Sequence, residues 1–99
     1  MSDFLTVVAE RIQAQVPSEV RPDDPHQLRL FRFYALLALA KGTETTREDV
    51  HNAWVAWMVE IDVTHTALVP FGELSEDQHR QDDPFLAAIK AVVAEGLAG

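Results

Sequence analysis

"TTREDVHNAWVAWMVEI", Thr45 to Ile61, decides the fold class. Val50, Trp54, Trp57, Met58 and Ile61 recur at i, i+4, i+7, i+8 and i+11, which is the repeat of one helical face; a strand would repeat every second residue. Just upstream, Thr45 and Glu48 have capping-box spacing, with a hydroxyl for a free backbone amide and a carboxylate reaching back to the cap. Together they predict a helix over about 47–61 with a core-facing stripe. His51, Trp54 and Met58 fall along one edge of that helix at i, i+3 and i+7, so Trp54 stands between the stripe and a more polar flank. The nearest strand candidate, "TALVPF" in the segment that follows, is too short to make a sheet alone.

Outward from this helix, the rest of the chain reads the same way. In "SDFLTVVAERIQAQV" apolar residues recur every three or four positions, Ser2 or Asp3 can cap the free amides, and Pro17 ends the run. The linker "PSEVRPDDP" closes on Asp24-Pro25, read as an N-cap and a first-turn proline that open a second helix running to about Lys41. Leu28, Leu30, Phe31, Phe33, Tyr34, Leu36, Leu37 and Leu39 make that helix apolar nearly all round. It is therefore expected to be central or to contribute to an oligomer interface. Ser75 and Gln78 repeat the capping-box spacing and start a short helix ending near Asp82. Asp83-Pro84 then opens a last helix that presents Phe85, Ile89, Val92 and Val93 and stops at Gly96. The expectation is an all-α single small domain of about five helices.

Composition narrows the function. A chain of 99 residues, 47% apolar, supports one modest core. Sixteen acidic residues against eight basic give a formal charge of -8, which opposes binding to nucleic acid or an anionic membrane. The absence of cysteine removes disulfides, thiolate nucleophiles and thiolate metal sites, and fits a reducing compartment. With no leader pattern and no apolar run near the roughly 20 residues of a membrane span, a soluble, cytoplasmic protein is expected.

Enzymatic chemistry finds little support. Ser2, Ser18 and Ser75 read as tail, linker and cap residues, and none lies in a nucleophile elbow. No two of His26, His51, His65 and His79 have the i, i+4 spacing that would put two imidazoles on one helical face, so no metal site is expected. The acidic pairs 23–24, 48–49, 76–77 and 82–83 sit at helix starts, where the helix dipole accounts for them.

The segments "EDVHNAW" and "HTALVPFGELSEDQHRQDDPFLAAIKAVV" resemble the RyR domain, the repeat module of ryanodine receptors that also occurs in bacterial and phage proteins. His51 and Trp54 match its His-x-x-Trp element. His65, Leu68, Pro70, Phe71, Leu74 and Ser75 match the loop element that follows. Two departures stand out: the Gly-Trp-x-Tyr-Gly segment is missing, and Thr66 replaces a proline. The resemblance divides the chain into an N-terminal helical extension, residues 1–45, and an RyR-like helical module, residues 46–95. It implies a non-enzymatic module, without a cofactor, that binds a nucleotide-like small molecule or a partner peptide. Its candidate ligand-binding residues are His51, Trp54, Met58, His65, Pro70 and Phe71. The alternative is a structural or regulatory protein that forms a homodimer through helix two, with Phe31, Phe33 or Tyr34 buried only between chains.

Overall fold

The Asp3 carboxylate accepts the Thr6 amide at 2.7 Å and starts α1, Phe4–Gln15. Ser2, the other candidate cap, lies outside residues 3–97, which are those described by the computed structural model. α1 stops before Pro17, as expected. A 3-10 turn at Ser18–Val20 and an extended stretch then lead to α2, Gln27–Lys41. Asp24 and Pro25 build a turn outside this helix: the Asp24 carboxylate accepts the His26 amide and the Asp24 carbonyl accepts that of Gln27. The regular helix therefore begins two residues later than the proline signal implies.

Gly42 ends α2 at φ +57°, a conformation that favours glycine, and a 3-10 turn at Gly42–Glu44 follows. The capping box of α3, Arg47–Ile61, is formed by Thr46 and Asp49, one residue later than Thr45 and Glu48. The reason is local. Thr45 is buried and its hydroxyl donates to the Gly42 carbonyl at 2.8 Å, so the exposed Thr46 takes the capping role. After α3 a loop, broken by a 3-10 turn at Phe71–Glu73, runs to α4, Glu76–Arg80, whose Ser75–Gln78 capping box forms as the spacing predicts. α5, Asp83–Glu95, begins with Asp82 in the N-cap position and Pro84 in its first turn, and Gly96 ends it at φ +101°. Among the described residues there is no strand: the protein is all-α, four long helices and one short one.

One hydrophobic core draws on all four long helices: Val8 and Ile12 from α1, Leu30, Phe31 and Tyr34 from α2, Val50 and Trp57 from α3, Ile89 and Val92 from α5. α2 is the central helix, in contact with α1, α3 and α5. Phe31 and Tyr34 are buried within the single chain, so neither needs a second copy to cover it, while Leu28, Leu36 and Leu39 lie on the exposed face. α3 also departs from its expected stripe. Val50 and Trp57 are buried, Trp54 and Met58 are half-buried, and Ile61 is exposed where the helix runs past the core. His51, expected at the edge, is 3% exposed. No helix among the described residues is long and apolar enough to cross a membrane.

Candidate functional site

α3 organises the candidate site. His51 Nε2 lies 2.7 Å from the Val69 carbonyl, which ties the returning loop to the helix. A carbonyl only accepts, so Nε2 carries the hydrogen of this bond. One turn on, the Trp54 ring stacks on His51 at 5.8 Å between centroids and meets His65 edge-on at 5.0 Å. His65 is held in turn, because its Nδ1 accepts the Ala67 amide at 3.1 Å. Another turn on, the buried Trp57 indole N–H donates to the His26 carbonyl at 3.0 Å, joining α3 to the entry of α2. Helix pitch and these three bonds hold both tryptophans in place.

Beside them lies a cleft of about 590 Å³. Its apolar walls are the half-buried Trp54 and Met58 from α3 and Pro84 and Phe85 from α5, backed by the buried Leu30, Tyr34 and Trp57. Tyr34 and Phe85 stand 5.5 Å apart, ring to ring. Val20, Pro22, Asp23 and Asp24 from the α1–α2 linker complete the lining together with His65, Ala67, Leu74, Gln78 and Gln81. His51 and Asp82 supply the inner polar groups. The volume and the mostly apolar lining are those of a small-molecule site.

Asp82 is the least satisfied polar group here. It holds the N-cap position of α5, yet its side chain makes no capping bond, and its Oδ2 is buried with no hydrogen-bond partner. Burial pushes its pKa up to about 6, and the nearby His51 and His79 offset part of that rise. Burial and the Asp82 charge also raise the Tyr34 phenol, which stays neutral. The adjacent Arg47 acts on Asp82 only through its charge and makes no hydrogen bond to it. Arg47 is committed to Asp83, with Nε–Oδ1 at 2.6 Å and Nη2–Oδ2 at 2.8 Å, and reaches Glu76 at 3.3 Å. Arg80 pairs with Asp77 at 3.0 Å. Neither arginine lines the cleft, and no lysine does.

Of the six residues singled out in the sequence, the structure brings His51, Trp54, Met58 and His65 to the cleft. Pro70 and Phe71 are not among the lining residues. Phe71 stacks on His79 at 4.0 Å between centroids, while the Phe71 carbonyl accepts from His79 Nε2 at 2.8 Å. Its ring therefore buttresses α4 behind His51, 6.2 Å from that imidazole. Sequence reasoning missed Asp82, Tyr34, Trp57 and Phe85 as wall residues, and Asp23 and Asp24 as rim residues. The acidic pairs were legible only as helix-start charges, and nothing in their spacing marked Asp82 as the carboxylate without a partner.

A family model described as a domain of unknown function (DUF7701) matches residues 3–94, and the chain belongs to that family. No curated protein and no solved structure matches. The family match corrects the RyR resemblance. It runs without a break across the 45/46 boundary on which an extension and an RyR-like module would divide, and α1 packs directly on α5 across the same boundary. The His-x-x-Trp spacing is the i, i+3 step along the edge of α3, and the Pro-Phe element is taken up by the contact with α4.

Proposed function

We propose that this member of the family is a non-enzymatic binding module for a small aromatic or apolar molecule, held in the cleft between α2, α3 and the α4–α5 corner. One observation carries the reading: a half-buried tryptophan, Trp54, fixed between two histidines at the wall of a cleft of about 590 Å³. Trp54 is held where it borders open space, and a rigid aromatic wall loses little entropy when a flat ligand is placed against it. The lining contains no serine, threonine, lysine or cysteine, so an aliphatic hydroxyl, amine or thiol nucleophile is missing from it. A nucleotide's phosphates find no lysine or arginine in the lining. The base of a nucleoside is the part of such a ligand that suits these walls, since stacking on one aromatic side chain contributes about 1–3 kcal/mol.

The test is a titration of the ¹⁵N-labelled protein with 2-naphthol and with adenosine, followed by the two indole N–H resonances. Either ligand is expected to shift the Trp54 signal at micromolar to millimolar concentration and to leave Trp57, bonded to His26, less affected. Unchanged Trp54 signals with both ligands would refute the reading. The second reading, a homodimer through α2, rests on the exposed Leu36 and Leu39. Arg32, paired with Asp3 at 3.5 Å, interrupts that face.

A further inference from the structure

We infer that the cleft selects an organic cation, an amidinium or protonated amine on an aromatic body, with the Asp82 carboxylate as its anchor. The inference rests on the reading of the cleft as a ligand site and adds the charge of the ligand. Three observations point the same way. Every charged side chain lining the cleft is acidic: Asp23 and Asp24 at the rim, Asp82 within. The Asp82 side chain lines the cleft and, among the described residues, no protein donor bonds to either of its oxygens, Oδ2 being the one buried out of reach. Arg47, at the start of α3, spends its hydrogen bonds on Asp83 and Glu76, and no lysine or arginine of the lining bonds to Asp82.

A half-buried carboxylate that takes no donor from the protein is open to a charged N–H from a ligand on the side that lines the cleft. An amidinium supplies a planar pair of charged donors to a carboxylate. The half-buried rings of Trp54 and Phe85 lining the same space favour a cation by their π-electrons. An anion meets the opposite: three carboxylates and no counter-charge. The overall charge of -8 draws cations toward the protein as well.

Three probes that share a ring and differ in charge decide the matter: 2-naphthamidinium, 2-naphthamide and 2-naphthoate. Each is titrated into the intact protein by NMR and calorimetry at low salt. The amidinium is expected to bind roughly tenfold tighter than the amide, a difference of about 1.4 kcal/mol, and the naphthoate weakest. In Asp82→Asn, which keeps the side-chain shape, the preference for the amidinium over the amide is expected to fall to about twofold or less. Equal affinity for amide and amidinium would overturn the cation inference while leaving the cleft as a ligand site, as would the tightest binding by naphthoate. A preference unchanged in Asp82→Asn would overturn Asp82 as the anchor. If all three probes leave the lining residues unshifted, the cation inference and the ligand-site reading both fail.

Discussion

Replacing Asp82 by asparagine should stabilise the protein at neutral pH, although it removes a charge from a helix N-terminus where a carboxylate is ordinarily favourable. The magnitude follows from the surroundings of the group. Asp82 titrates near 6 in the fold, against 3.8 for an unperturbed aspartate, because burial opposes its charge. The folded chain therefore holds this proton more tightly than the unfolded chain, and stability falls as pH rises through the window from about 4 to about 6. Taken at face value, the difference costs the fold about 3 kcal/mol above that window. Partial exposure of the side chain reduces the expected cost to roughly 1–2 kcal/mol. Asparagine carries no charge at any pH and keeps the shape, so the penalty disappears. For a domain of this size each kcal/mol moves the melting temperature by about 4–8 °C.

Thermal unfolding followed by circular dichroism at half-unit steps from pH 4 to pH 7.5 checks this. The quantity to plot is the difference between variant and wild type. Other carboxylates contribute pH dependence of the opposite sign, such as Asp83, held below the usual range by its hydrogen bonds to Arg47, but both chains share them. The difference should be near zero at pH 4, rise through pH 5–6 and level off by about pH 7. A flat difference curve, or an asparagine variant less stable at pH 7 than at pH 4 relative to wild type, would refute the assignment of Asp82 as a half-buried carboxylate without a hydrogen-bond partner.

The remaining predictions concern α3 and the assembly. Trp57→Ala should cost about 3–5 kcal/mol as a buried large-to-small change, whereas the half-buried Trp54→Ala should cost less, about 1–2 kcal/mol; chemical denaturation of the two variants side by side measures the contrast. His51→Ala leaves the Val69 carbonyl without its donor and should cost about 1–3 kcal/mol, with faster amide exchange in the 65–71 loop as its local signature. Thr46→Ala should cost about 1 kcal/mol through the lost cap, while the same change made to a non-capping threonine such as Thr43 should leave the melting temperature nearly unchanged. Light scattering at micromolar concentration should give an 11.1 kDa species; twice that mass would favour the homodimer through α2.

The helices were legible because their signals are local. Asp3, the Ser75–Gln78 box and the stop at Gly96 act where the spacing puts them, since each depends on residues within a few positions. At "TTRED" two overlapping capping boxes were available, Thr45 with Glu48 and Thr46 with Asp49. Only the burial of Thr45 against Gly42 selects the second, and burial is a tertiary fact. The centrality of α2 could be read from its breadth of apolar residues, but not which of them would face water. The site was half legible. The edge His51-Trp54-Met58 follows from helical periodicity, and those residues do reach the cleft. Asp82 was not legible, because "DDP" looks alike whether the first or second aspartate caps the helix. The deciding partner of Asp83 is Arg47, thirty-six residues earlier in the chain. Phe71 was misplaced for the same reason: its stacking on His79 depends on how α4 folds back beneath the loop.

The most direct test of the account is a map of amide and indole shifts when 2-naphthol is titrated into the ¹⁵N-labelled wild-type protein. Shifts are expected to gather on Trp54, Met58, Gln81, Asp82 and Phe85, which all line the cleft. Shifts confined to the outer face of α2 around Leu36 and Leu39, or none at millimolar ligand, would contradict it.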